Sequence, residues 1–264
     1  GYLVLDGLRH QAHLPAWMRV APPPAPGDVL VIDNDGSSLP AETLDAVAPG
    51  LRFADYTPSY TAALDDLGLT YDVYDADAQY DPAGARTHLL PDVVSLGRYR
   101  AIVYQTGDNS LSDASGLLPG ASAPTNLDMN RLVAYVNAGG RLAMFGQDLA
   151  ATLNSASPTS ASFLYGEVLG AVWRRDSVTG GTVYSDTLAL VTGLPGTPFE
   201  RLSVDVSDTG DGAGNLSSID EIEPKAGIVP LMKLTAGGAG FAAQGHVAAA
   251  HADRPTLERP RTTF

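Results

Sequence analysis

Acidic and amide side chains follow three apolar segments of this sequence, and they are the residues best able to do chemistry. The three clusters are Asp33-Asn34-Asp35-Gly36, Thr106-Gly107-Asp108-Asn109 and Gln147-Asp148. Because ligands in open α/β sheets bind outside the carboxyl ends of the strands, we expect these clusters to share one rim. Their four carboxylates are oxygen ligands of the kind that Mg²⁺ and Ca²⁺ prefer. The competing interpretation is structural, since Asp and Asn also end strands by forming turns and capping helices.

Two sets of candidate residues follow from this arrangement. Asp33 and Asp35 are the metal candidates at the end of the first apolar segment. The predicted cleft for a carbohydrate or another small ligand consists of Asp108, Asn109, Gln147 and Asp148. Such a cleft needs apolar and aromatic side chains along its wall. The aromatic candidates are Tyr56, Tyr60 and Tyr104.

A second acidic loop lies near the end of the chain, between Asp208 and Asn215. Its oxygen-bearing side chains are spaced as in loose calcium loops, and the metal candidates in it are Asp208, Asp211 and Asn215. The loop lacks a bidentate glutamate at the proper distance. The alternative interpretation is a plain turn that binds nothing.

The segment LVIDNDGS, residues 30–37, resembles the first motif of haloacid-dehalogenase-type phosphohydrolases. The resemblance implies a nucleophile at Asp33 and a general acid at Asp35. The further matches are Thr106 for the second motif, and Gly107-Asp108 with Asp113 for the metal-binding fourth motif. That chemistry also needs a cation against the phosphoryl group, normally a lysine before the fourth motif. This chain has no lysine before Lys225, which argues against the phosphohydrolase hypothesis.

Residues 139–148, GGRLAMFGQD, resemble the strand and elbow of class I glutamine amidotransferases. The elbow holds Gly146 and Gln147, and neither side chain is a nucleophile. The chain has no cysteine, so disulfides, thiolate metal sites and a cysteine nucleophile are all excluded. We therefore expect the scaffold without that chemistry, and we assign no catalytic residue.

Strands and helices that would position these residues alternate along the middle of the chain. The continuous apolar run in Asp28–Asp33 is typical of a strand buried on both faces. Further strands are predicted over residues 71–74, 100–106 and 141–146, and helices over residues 60–68 and 127–137. This alternation predicts an α/β fold, flavodoxin-like or class I amidotransferase-like, with a parallel sheet and helices on both faces.

The two ends of the sequence lack the alternation of strands and helices predicted for its middle. Residues 1–21 read as two strands that complete a preceding β domain, and residues 22–27 as a stiff Pro-rich linker. Residues 28–264 are predicted to be the α/β domain, with a strand-rich elaboration from about Gly180. The sequence opens without a methionine and finishes on a strand-like segment, so we expect a fragment of a longer protein.

Charge and composition limit the partners. The 264 residues carry a formal net charge of −14, from 30 acidic and 16 basic side chains. Such a surface repels phosphate backbones and anionic lipids, so neither nucleic acid nor a membrane surface is an expected partner. No stretch reaches the roughly 18 apolar residues that a membrane span needs. With 44% hydrophobic and 17% charged residues, the chain can bury a sizeable core.

Several sequence segments, taken in their order along the chain, resemble the region that follows the catalytic domain in large secreted bacterial subtilisin-like proteases. The segments are residues 16–20 before the Pro-rich linker, 29–35, 60–74, 104–109, 139–142 and 146–148. The resemblance implies a non-catalytic accessory domain of an extracellular protein, supporting stability, substrate docking or attachment. Its partners would be other domains of the same polypeptide, including a protease domain upstream that carries the catalytic residues. A metal-dependent phosphohydrolase and a carbohydrate or small-ligand module remain the alternatives.

Overall fold

The computed structural model describes part of the chain, and everything below concerns that part. The described residues are 2–6, 11–15, 27–47, 49–77, 90–109, 124–156, 161–163, 168–175, 189–205, 220–236 and 246–251. They form a two-stranded sheet, a four-stranded parallel sheet and a six-stranded antiparallel sheet.

The chain begins with an antiparallel hairpin of β1 (Tyr2–Asp6) and β2 (Gln11–Pro15). The two predicted strands near the beginning of the chain are therefore present. Residues 22–26 of the predicted Pro-rich linker lie outside the described residues. Assignment of the hairpin to a preceding β domain stays a prediction.

A four-stranded parallel sheet forms the centre of the fold. Its strands are β3 (Val29–Asp33), β4 (Tyr71–Asp75), β5 (Ala101–Gln105) and β6 (Arg141–Phe145), in the order β4-β3-β5-β6. All three pairings are parallel and in simple register, so Asp33 lies beside Asp75 on one side and Gln105 on the other. Every residue of β3 is buried, as its continuous apolar run predicted.

Five helices accompany the strands in the described part of the chain. They are α1 (Ala41–Val47), α2 (Thr57–Asp66), α3 (Val93–Leu96), α4 (Asn126–Asn137) and α5 (Leu149–Ala156). Helix α4 begins where Thr125 caps it by accepting a hydrogen bond from the backbone N–H of Asp128. Helix α2 begins three residues before the predicted Tyr60, because Pro58 fits the first turn, where no N–H is needed.

One face of the parallel sheet carries the main hydrophobic core. Leu30 and Ile32 of β3 and Ile102 of β5 pack in one cluster with side chains from α4 and α5. The members contributed by those two helices are Met129, Leu132, Tyr135, Leu149 and Leu153. Fully burying each large apolar side chain stabilises the fold by about 1.5–3 kcal/mol.

The opposite face is covered by α2. Side chains alternate between the faces of a strand, so Phe145 points away from its neighbour Met144, which packs against the core. The ring of Tyr60 in α2 lies with its centroid 5.7 Å from that of Phe145. Helices thus lie on both faces of the sheet, and the predicted α/β fold class is confirmed.

The later part of the chain forms a six-stranded antiparallel sheet, as the strand-rich pattern predicted. Its strands are β7 (Ala171–Arg175), β8 (Ala189–Gly193), β9 (Ser203–Asp205), β10 (Glu221–Pro224), β11 (Val229–Ala236) and β12 (His246–His251). The order is β7-β10-β12-β11-β8-β9. Ala171, Trp173 and Ile222 pack against the core of the parallel sheet, so the two sheets share apolar contacts. Among the described helices, none is long and apolar enough to cross a membrane.

Candidate metal centre

The topology of the parallel sheet creates a binding position between β3 and β5. The chain leaves β3 for β4 on one side, and then crosses from β4 to β5 on the other side of β3. Diverging connections of this kind leave a crevice outside the carboxyl ends of the two central strands, where α/β proteins bind ligands. Asp33 and Gln105 end these two strands in register with each other.

The loop after β3 is fixed to the sheet by Asn34. Its backbone N–H donates to the carbonyl oxygen of Gln105 at 3.0 Å, which continues the pairing of β3 with β5. Its side-chain amide donates to the hydroxyl of Tyr104 at 2.8 Å. Tyr104 is itself only 1% exposed. The turn that carries Asp35 is therefore anchored in the hydrophobic core.

Three carboxylates converge at this position. Asp33, Asp35 and Asp77 each offer a carboxylate oxygen, and the three atoms lie within 4.8 Å of one another. All three residues are buried, with Asp33 5% exposed and the other two not exposed. A cation about 2.4 Å from each oxygen could contact all three at once.

Asp35 accepts hydrogen bonds from N–H donors on both of its carboxylate oxygens. Its Oδ1 accepts from the backbone of Ser37 at 3.0 Å. Its Oδ2 accepts from the backbone of Tyr56 at 2.8 Å and from the side-chain amide of Gln105 at 3.0 Å. Because Tyr56 precedes α2, the carboxylate also lies at the positive end of that helix.

Asp33 lies between the other acidic groups and is harder to ionise. Burial, and after it the negative charge of Asp35, raise the pKa of its carboxyl to about 7, while a hydrogen bond with Thr57 opposes the shift. The Oδ1 atom accepts from the amide of Gln105 at 2.6 Å. A proton or a cation at this position would each relieve the repulsion between the two carboxylates.

Asp77 reaches the site from the segment that follows β4. Its Oδ2 accepts from the backbone N–H of Gly36, whereas its Oδ1 is buried and makes no hydrogen bond within the described structure. Burial is also the main reason that the pKa of this carboxyl lies well above its ordinary value. A buried carboxylate oxygen without a partner is unfavourable unless a cation or a proton satisfies it.

The surroundings of the triad provide negative charge. The pKa values of Asp33 and Asp77 are shifted chiefly by burial and by neighbouring carboxylates, including Asp75. None of the main influences on either group is an arginine or a lysine. Buried charges are stable when they are paired or coordinate a metal, so this cluster has the chemistry of a cation site.

Two comparisons with known proteins found no match. No protein-family model matches the sequence, and no curated protein matches it at a significant level. The chemistry of the centre therefore rests on its own residues and on the topology that brings them together.

The predicted ligand-cleft residues lie on the same rim but do not join the triad. The side-chain amide of Asn109 donates to the carbonyl oxygen of Asn34 at 3.2 Å. The backbone N–H of Gln147 donates to the carbonyl oxygen of Gly107 at 3.3 Å. Within the described structure, the acidic groups close enough to share a cation do not include Asp108 or Asp148. The rim is thus shared as predicted, while only two of its four expected carboxylates converge.

The aromatic candidates for a cleft wall divide between core and rim. Tyr104 lies in the core, where its hydroxyl accepts a hydrogen bond from the side-chain amide of Asn34. Tyr60 is half-buried against Phe145, which is 44% exposed. The candidate calcium ligands Asp208, Asp211 and Asn215 all lie outside the described residues, so that loop stays a prediction.

Sequence reasoning missed two members of the centre, Asp77 and Gln105. Asp77 belongs to Asp75-Ala76-Asp77, which repeats after β4 the Asp-x-Asp spacing found after β3. That repeated spacing was a usable signal, because β4 was itself predicted. Gln105 stood inside a predicted strand, and its position beside Asp33 depends on which strands are neighbours.

Proposed function

We propose that this chain is a calcium-binding α/β accessory domain of a secreted subtilisin-like protease, and that it is itself non-catalytic. The observation that carries the cation site is the buried triad of Asp33, Asp35 and Asp77, which has an unpartnered carboxylate oxygen. The accessory role is supported by the sequence segments that resemble, in the same order, the region after the catalytic domain in such proteases.

The composition of the site favours Ca²⁺ over Mg²⁺. Ca²⁺ takes six to eight oxygen ligands in flexible geometry, whereas Mg²⁺ keeps several waters and usually binds one or two carboxylates. Here three carboxylates from two separate segments surround one buried position. Calcium sites of extracellular modules have dissociation constants of about 10⁻⁴–10⁻³ M, which suits a domain that is stabilised by its cation outside the cell.

The phosphohydrolase alternative is weakened by the surroundings of Asp35. A general acid must hold a proton and pass it to the leaving group. Both oxygens of Asp35 instead accept hydrogen bonds from N–H groups, and the residue is completely buried. With both oxygens occupied by N–H donors and the side chain buried, Asp35 is not placed to deliver a proton to a substrate.

Thermal melting with added cations tests the proposed function. A cation that binds only the folded protein raises the melting temperature as its concentration passes the dissociation constant. We expect CaCl₂ to raise the melting temperature more than MgCl₂, and the Asp33→Asn variant to lose this effect. Asp108→Asn is the matched control on the same rim, and it should respond like the wild type.

Two results would overturn the proposal, and a third would relocate the cation site. A wild-type melting temperature that ignores Ca²⁺ would remove the cation site. Turnover of a phosphate ester such as p-nitrophenyl phosphate, lost in Asp33→Asn, would replace the accessory role with hydrolase chemistry. A calcium response that persists in Asp33→Asn but disappears in Asp208→Asn would move the site to the later acidic loop.

A further inference from the structure

The side-chain amide of Gln105 is hydrogen-bonded to two carboxylates of the triad. Its Nε2 lies 2.6 Å from Oδ1 of Asp33 and 3.0 Å from Oδ2 of Asp35. It also lies 3.3 Å from the hydroxyl oxygen of Thr57. The residue is not exposed to solvent. The amide group therefore occupies the space between the two carboxylates.

The other end of the same carboxamide has no partner. Oε1 of Gln105 is buried and makes no hydrogen bond in the described structure. Buried acceptors are almost always satisfied, and exceptions need a physical reason. Asp77 contributes a second unpartnered oxygen to the same cluster. Two buried oxygens without a hydrogen bond, one in the triad itself and one on the amide that contacts it, indicate that a positively charged group belongs here.

A cation in the triad would change what Gln105 can do. The N–H groups of its amide carry partial positive charge and now point at Asp33 and Asp35. A cation bound to those carboxylates would repel the N–H groups. Rotation of the carboxamide by half a turn would exchange nitrogen for oxygen, two atoms of nearly equal size, without moving β5.

We propose that Gln105 is a fourth oxygen ligand of the cation and that its carboxamide turns over when the cation binds. This inference rests on the cation site proposed above. Without the cation, the amide nitrogen separates the two carboxylates. With the cation, Oε1 takes that place and adds a neutral ligand of a type common in calcium sites. The ligand set then comprises three carboxylates and one carboxamide oxygen.

The test compares Gln105→Glu with Gln105→Met by calorimetric titration of Ca²⁺. Glutamate keeps an oxygen at this position and removes the N–H donors, whereas methionine has similar length and offers neither. We expect Gln105→Glu to bind Ca²⁺ at least as tightly as the wild type, and Gln105→Met to bind roughly tenfold more weakly or worse. Equal weakening in both variants would show that the N–H donors matter, and it would overturn the ligand assignment.

Luminescence of bound Tb³⁺ counts the waters on the ion directly. Lifetimes in H₂O and D₂O should report one more water in Gln105→Met than in the wild type, and no additional water in Gln105→Glu. An unchanged water count in Gln105→Met would contradict ligation. A wild-type protein that binds neither Ca²⁺ nor Tb³⁺ would instead refute the cation site itself, so the two failures are distinguishable.

A crystal structure of the wild-type protein with Ca²⁺ provides a test that needs no variant to fold. Ligation places Oε1 of Gln105 at about 2.3–2.6 Å from the ion. An ion bound by the three carboxylates, with the Gln105 nitrogen still hydrogen-bonded to Asp33, would overturn the proposal.

Discussion

At the scale of single residues, the centre brings three acidic side chains together with no arginine or lysine among the main influences on the ionisation of Asp33 or Asp77. Asp33, Asp35 and Asp77 are buried within reach of one ion. Both oxygens of Asp35 accept hydrogen bonds from N–H groups, and the acidic groups that share the site with it are Asp33 and Asp77. Both have raised pKa values, as expected where a proton takes the place of a cation.

The raised pKa of Asp33 predicts how the cation-free protein responds to pH. Its folded pKa of about 7 exceeds the unfolded value of about 3.9, so the folded state binds more protons between these values. The stabilisation is present below about pH 4 and is lost as pH rises through about 7. In EDTA, the melting temperature should therefore fall from about pH 5 to pH 8 more steeply in the wild type than in Asp33→Asn. Equal slopes would contradict the assignment.

Replacing Asp77 by asparagine should separate stability from cation binding. The asparagine Oδ1 can accept from the N–H of Gly36, and its Nδ2 replaces the unpartnered oxygen as a donor to the neighbouring carboxylates. We expect urea unfolding in EDTA to show a gain of roughly 1–3 kcal/mol, because a buried unsatisfied acceptor is removed. The same variant should gain no stability from Ca²⁺. A variant that is less stable without the ion and still responds to it would be contrary evidence.

At the scale of elements, the turn after β3 sets the geometry of the centre. Gly36 has a φ of 86°, and its N–H holds Asp77. A Cβ at this position would lie 2.5 Å from a ring carbon of Phe53. The position therefore requires glycine for its backbone conformation and for its close packing.

Gly36→Ala and Gly50→Ala form a matched pair that tests this turn. Gly50 has a similar φ of 81°, but an added Cβ would meet nothing within 4 Å. Gly50→Ala should cost only the conformational strain, about 1–2 kcal/mol. Gly36→Ala should cost an additional 1–3 kcal/mol or so from overpacking and should weaken Ca²⁺ binding. Chemical denaturation measures both costs, and equal destabilisation would refute the packing argument.

At the scale of the whole molecule, the sequence predicts which segments form strands and helices better than it predicts which strands lie side by side. The apolar run of β3, the end of α4 before Gly139 and the later strand-rich region each follow from local patterns. The centre depends on long-range pairing, because Asp77 and Gln105 reach Asp33 only through the order β4-β3-β5. Periodicity within a strand carries no information about that order, so the sequence identified Asp33 and Asp35 without their buried partners.

The net charge of −14 also acts on the whole molecule. Any salt screens repulsion among its surface carboxylates and thereby stabilises the fold in a nonspecific way. A specific calcium site must therefore be distinguished from screening. NaCl at the same ionic strength as CaCl₂ provides that control.

The most direct test of the central claim is calorimetric titration of Ca²⁺ into the EDTA-treated protein at neutral pH and constant ionic strength. If Asp33, Asp35 and Asp77 form a cation site, the wild type should bind one Ca²⁺ at this centre with a dissociation constant of about 10⁻³ M or tighter. The Asp33→Asn and Asp77→Asn variants should each lose that binding event. Binding that persists in both variants, or no binding to the wild type at millimolar Ca²⁺, would contradict the account.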